Sequence, residues 1–346
     1  MHALRVNRIA ATPADLTGRV ICHELRFADG RVAIPKGKVL DTVDAGRAMT
    51  LDWSELHLLA LDDGDVHEDE ASDRIARLVA GEGVTVQPPS GGHWPIVSLH
   101  RGLLAIDNDA LEAVNALDGP CVYSLFDGQV VDVRDVVARA KIIPFAVTAA
   151  TLADAESIAS RSESVVRVRP FVPCRVGAVI HQSMGDRAIS RFRDAVTEKL
   201  SWFGSSLCAL HSAASTEPEL SDAFRACRAA GAKVILIAGT KAMDMLDPTF
   251  AVLDQVGARM VRHGVPAHPG SLLWLADWDG VPIVGMPTCG LFAQATVFDL
   301  VISRILTGER VGRRELGRLA QGGFLTRDMS FRLPAYRSSA ARGAVE

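Results

Sequence analysis

The second half of the chain alternates between two spacings of apolar residues. Short strand-like segments fall at 175–181, 206–212, 233–238 and 281–284, and the third is a continuous apolar run, Val-Ile-Leu-Ile-Ala, after Lys233. Between them, Ile189, Phe192, Val196, Leu200 and Phe203 recur every three or four residues, as do Leu220, Phe224 and Cys227. An apolar run without polar alternation predicts a strand covered on both faces, and the three-and-four spacing predicts a helix with one buried side. Gly204, Gly231 and Gly308 mark helix ends, the last closing an apolar helix over 291–306. Thr216 and Glu219 have capping-box spacing, and Pro218 sits in the first turn, where its missing N–H costs nothing. Strand and helix in alternation predict an α/β domain: three αβα layers around a mostly parallel sheet.

Residues before Pro173 read differently. The β-formers at 19–27 and 31–40 flank Asp29-Gly30, a good hairpin turn, and Asp127-Gly128 is a second hairpin candidate. Ala71, Ile75, Leu78 and Val79 follow the acids Glu68, Asp69 and Glu70 at helical spacing. The expected organisation is an N-terminal α+β region over 1–107, a small β-containing unit or connector over 108–172, the α/β domain over 173–310 and a partly disordered extension over 311–346.

Composition narrows the setting. The 346 residues are 48% hydrophobic and 23% charged, with a formal net charge of −4 and interspersed signs. This is a globular composition without the clustered basic residues of nucleic-acid binders. The six cysteines are scattered and form no C-x-x-C pair, which argues against zinc and a disulfide framework. No apolar run approaches the roughly 20 residues of a membrane span. The expectation is a cytoplasmic protein engaging neither nucleic acid nor membrane.

Candidate chemistry gathers at glycine turns after the predicted strands. In Gly239-Thr240-Lys241, backbone amides, a hydroxyl and an ammonium could meet a phosphate; without the full P-loop pattern, a plain β-to-α turn accounts for it equally. Asp244 and Asp247, three apart, would share a helical face and could hold Mg²⁺, or serve as helix-dipole partners. His263 and His268 flank a proline-stiffened loop containing Pro269, Gly270 and Ser271; the histidines are read more simply as solvated or backbone-bonded than as metal ligands. Cys289, in the turn Gly285-Met286-Pro287-Thr288-Cys289-Gly290, is read as packing before nucleophile. Ser183, Gly185 and Asp186 could border the same crevice, or form an ordinary loop and helix cap.

Taken together, these motifs resemble the molybdopterin-binding domain of molybdopterin adenylyltransferases and molybdenum insertases. The similarity spans about 173–306. It rests on Gly239-Thr240 after a buried strand, Asp247-Pro248, Pro269-Gly270-Ser271 and Gly285-Met286-Pro287. Looser similarity to bacterial molybdopterin-binding proteins reaches over nearly the whole chain. The resemblance implies molybdopterin as ligand, with Mg²⁺ and ATP as further cofactors in an adenylyl-transferring relative. It implies that Gly239 and Thr240 bind the ligand and that Pro269, Gly270, Ser271, Gly285 and Pro287 shape the pocket, with Lys241 and Thr288 as further candidate contacts beside them. Asp247 would be the acidic, metal-holding residue, with Asp244 beside it. The family's T-G-G-T-G run is reduced here to Ala238-Gly239-Thr240-Lys241, and Thr288-Cys289-Gly290 replaces a G-N-P ending.

Three functions follow as expectations: adenylyl transfer to molybdopterin or molybdate insertion, non-catalytic carriage of the cofactor to a molybdoenzyme client, and, more remotely, unrelated nucleotide- or sugar-phosphate chemistry on the same fold. Relatives self-associate, which implies a homo-oligomer.

Overall fold

A computed structural model describes residues 1–181, 185–212, 216–286 and 296–336. The chain divides into two compact units: 1–100 with 105–127 and 133–168, and 101–104 with 128–132 and 169–346.

The first unit is mixed α and β. Glu55–Ala60 pairs antiparallel with His2–Asn7 on one side and Val20–Ile21 on the other. Leu16, Ile21, Ile34, Leu56 and Leu58 fill the core beneath. A four-stranded antiparallel sheet runs in the order Pro120–Ser124, Val136–Ile142, Trp94–Ser98, Val84–Val86. The helix Glu68–Val79 buries Ala71, Ser72, Ile75, Ala76 and Val79. His67 caps it, its Nδ1 accepting the Asp69 N–H at 3.3 Å while Nε2 donates to the Gly37 carbonyl at 2.7 Å. Asp29-Gly30 does join the short strands Leu25–Arg26 and Val32–Ile34. Asp127-Gly128 closes no local hairpin, because Pro120–Ser124 pairs with Val136–Ile142 and Val130–Val131 pairs with Gly102 and Leu103.

The second unit is an α/β domain built on six strands, labelled here β1 (Arg175–Ile180), β2 (Ser206–Ser212), β3 (Val234–Ala238), β4 (Arg259–His263), β5 (Trp274–Trp278) and β6 (Val281–Met286). Their order is β2-β1-β3-β6-β5-β4. The first four neighbours are parallel; β5 and β4 complete the sheet antiparallel. The helices are α1 (Asp186–Trp202), α2 (Glu217–Ala229), α3 (Pro248–Gln255), α4 (Val297–Ile305) and α5 (Arg313–Arg318).

Strand periodicity sorts the helices into layers. Val176, Ala178 and Ile180 of β1, with Leu236 and Val284, pack on Phe192, Val196 and Leu200 of α1 and Val301 and Ile305 of α4. Val179, Ile235, Ile237 and Ile283 face the other way, onto Leu220, Phe224 and Cys227 of α2 and Phe250 and Leu253 of α3. Two separate apolar cores, one on each face, make the unit a three-layer αβα sandwich.

Candidate functional site

Strand order creates a crevice before any side chain is considered. β1 lies between β2 and β3; the chain leaves β1 through α1 on one face of the sheet and leaves β3 through α3 on the other. Connections that diverge to opposite faces open a gap above the carboxyl ends of the two strands, where open α/β sheets bind ligands. The register brings these ends level, with Ile180 opposite Ala238 and Ala238 opposite Met286. His181, donating its N–H to the Ala238 carbonyl at 2.9 Å, and Gly239 are therefore the first residues past the rim.

Asp247 is the hub of this rim. It is 3% exposed and caps α3, with Oδ1 accepting the Thr249 N–H at 3.0 Å and Oδ2 accepting the Lys241 N–H at 2.9 Å. The second bond ties the turn at Gly239, Thr240 and Lys241 to the start of α3. Gly239 has φ +94°, a left-handed conformation that glycine takes without strain. The Thr240 and Thr249 hydroxyls approach to 3.5 Å. Burial alone would raise the Asp247 carboxyl's pKa. The hydrogen bonds from Lys241 and Thr249, with His181 close by, outweigh it and hold the group below the ordinary aspartate value.

His181 completes the arrangement, and nothing in the sequence singled it out. Its Nε2 lies 3.3 Å from Asp247 Oδ1, and the residue is only 5% exposed. Its Nδ1 is buried and, among the described residues, has no hydrogen-bond partner. A buried polar atom left unmatched costs about 1–3 kcal/mol, and at the rim of the crevice a ligand atom could supply the missing partner. The only sequence signal is a polar residue closing an otherwise apolar strand. Its partner is 66 positions away, a pairing that only the fold reveals.

The remaining candidates fall into three groups. Lys241 is exposed, and among the described residues its ammonium has no ion-pair partner. Asp244 is also exposed but does not share a helical face with Asp247. It sits in the preceding turn with Oδ1 accepting the Leu246 N–H at 3.0 Å, because Asp247 with Pro248 starts the helix three residues later. The apolar side chains of Met243, Met245 and Leu246 project from the same turn into solvent.

Pro269 and Gly270 dock on the start of α4. The Pro269 carbonyl accepts the Val297 N–H at 2.9 Å, and a Cβ on Gly270 would lie 3.2 Å from that of Val297. The Ser271 side chain is exposed, and its carbonyl accepts the Val265 N–H. His263 reaches back to the Ala242 carbonyl. Gly285 lies inside β6 opposite Trp274, and an added Cβ would fall 1.8 Å from the indole. Its small size therefore admits the Trp274 ring, a packing role. Pro287, Thr288 and Cys289, and Ser183 after β1, lie outside the described residues. Among the described residues, no group of three or more His, Cys, Asp or Glu side chains is placed to hold a metal ion. No described helix is long and apolar enough to cross a membrane.

No family model matches the sequence, and no curated protein matches it. Among solved structures, the chain is similar to the molybdopterin biosynthesis MoeA protein from Pyrococcus horikosii. That similarity covers 73% of this chain and 80% of that one, at 13% identity and a TM-score of 0.30. The CinA protein of unknown function from Thermoplasma acidophilum is similar over 34% of this chain and 89% of its own, at 9% identity and a TM-score of 0.24. Similarity at this level assigns neither ligand nor chemistry.

Proposed function

We propose that the crevice between β1 and β3 binds molybdopterin, in biosynthesis or delivery of the molybdenum cofactor. The observation that carries a ligand there is the unmatched, buried Nδ1 of His181 beside Asp247, at the point where the connections diverge. A neutral imidazole would accept from a ligand N–H, and an imidazolium would donate to a phosphate oxygen. The Lys241 ammonium and the amides of the glycine turn supply positive potential for the phosphate. The identity of the ligand rests on the resemblance of Gly239-Thr240, Asp247-Pro248 and Pro269-Gly270-Ser271 to the molybdopterin-binding pattern.

Between catalysis and carriage, the geometry favours carriage. Both Asp247 oxygens already accept backbone N–H groups, and its role is to hold the turn. Adenylyl transfer or molybdate insertion with Mg²⁺ and ATP is the second reading, with Asp247 and Asp244 as the acids. Handing over the cofactor would require a molybdoenzyme client, and self-association would follow the pattern of the resembling proteins.

Purifying the chain from cells that make the pterin, then oxidising the bound fraction, tests this directly. Stoichiometric pterin fluorescence is expected, reduced at least about tenfold in His181→Ala and Lys241→Ala. A blank from saturated, folded protein overturns the assignment. Adenylylation of added molybdopterin by the unmodified protein, abolished by Asp247→Asn with binding retained, would replace carriage with catalysis.

A further inference from the structure

At the opposite, amino-terminal rim of the same sheet lies a cavity of about 680 Å³, walled by Val234, Val261, Leu275 and Leu306 among others. Clefts of roughly 300–1,000 Å³ with mostly apolar walls and a few polar groups are the usual dimensions of small-molecule sites. A smaller hollow of about 200 Å³ adjoins it, sharing Val261, Asp277, Arg310 and Val311 and adding Arg259 and Arg313.

The charges around these two spaces are unbalanced. Lys233 borders the larger one, and the side chains of Lys233, Arg259 and Arg310 have no hydrogen bond or ion pair among the described residues. Arg313 is fixed by its Nε donating to the Val261 carbonyl at 2.8 Å. Of the two carboxylates present, Glu309 is already matched by Arg169 at 3.3 Å and Arg304 at 3.5 Å. Asp277, the other carboxylate, lines both spaces and accepts the Gly280 N–H at 3.2 Å. An apolar chamber opening onto an annex of guanidinium groups selects for a molecule with both characters.

We propose that this cleft is a small-molecule site for a ligand with an apolar or aromatic body and a single anionic group. The body would occupy the larger chamber. Its carboxylate, sulfonate or phosphate would face Arg259 and Arg310. The site is separate from the carboxyl-rim crevice, and its existence does not depend on what that crevice binds.

Two probes that differ only in the anion test the idea: 8-anilinonaphthalene-1-sulfonate and its uncharged counterpart N-phenyl-1-naphthylamine. Titrated by fluorescence into the intact, cooperatively melting chain, the sulfonate is expected to bind at one equivalent and more tightly than the neutral probe. Arg259→Glu with Arg310→Glu should weaken the sulfonate at least about tenfold and leave the neutral probe within about twofold. Val311→Trp, which fills the shared wall, should exclude both probes. If that variant does not melt cooperatively, the charge-reversal pair decides by itself. Absence of saturable one-to-one binding, or sulfonate affinity untouched by charge reversal, overturns the proposal. So does loss of sulfonate binding in Lys241→Ala, since that would place the probe at the other rim.

Discussion

Asp247 combines burial with several hydrogen bonds, so its contribution to stability should be large and pH-dependent. Asp247→Ala strands two N–H donors and the adjacent imidazole; about 2–4 kcal/mol should be lost in urea unfolding, while Asp247→Asn, which keeps an acceptor, should lose less. Because the folded carboxyl titrates below its unfolded value of about 3.9, its contribution is complete above that pH and fades as pH falls through the lower folded value. The stability gap between the natural chain and Asp247→Asn should therefore narrow below about pH 4; a constant gap would deny the charge any role. Gly285 makes the opposite kind of prediction. Gly285→Ala must displace Trp274, so a loss of about 3 kcal/mol is expected in thermal melts, partly recovered by Trp274→Leu.

Among the elements, α4 depends on charges that its apolar sequence does not advertise. Asp299 is fully buried. It accepts the Thr296 N–H at 2.9 Å in a capping box, the Lys199 ammonium of α1 at 2.6 Å and the Tyr336 hydroxyl at 2.7 Å. Burial and the neighbouring Asp299 push the Tyr336 hydroxyl well above its ordinary pKa, so it remains a donor throughout the accessible pH range. Removing the cation leaves a buried carboxylate uncompensated: Lys199→Met should cost about 3–5 kcal/mol by denaturant titration, against about 1.5–3 kcal/mol for Tyr336→Phe. Two strands of the sheet, β4 and β5, mix apolar residues with charged ones in the sequence. β4 reads Arg-Met-Val-Arg-His, with only Val261 fully buried, and β5 carries Asp277 within it. An edge strand with an exposed Arg259 and a half-buried Arg262 gives no continuous apolar signal, whereas β3, buried on both faces, does.

Taken as a whole molecule, the C-terminal unit borrows two short segments from far upstream. Arg101 lies 4.6 Å over the Trp202 ring and pairs with Asp132 at 2.8 Å, and the Leu104 N–H donates to the Gln129 carbonyl at 2.9 Å. A fragment starting at residue 169 loses these contacts, so by calorimetry it should melt a few degrees below the same unit in the intact chain. An unchanged transition would mean that the borrowed strands add nothing.

The sequence by itself determined the α/β alternation, the glycine-marked ends of α1, α2 and α4 and the glycine turn at the end of β3, because periodicity and φ > 0 are local properties of a few consecutive residues. It set Asp244 and Asp247 on one helical face, whereas the helix begins only at Pro248, with Asp247 as its cap. Only the tertiary structure decided that Asp247 faces His181, that Gly285 makes room for Trp274, and that a cationic annex adjoins an apolar chamber at the far rim. Each depends on which strands become neighbours, and strand order is set by the joint burial of two sheet faces. That is a property of the whole core, with no signature in any single segment.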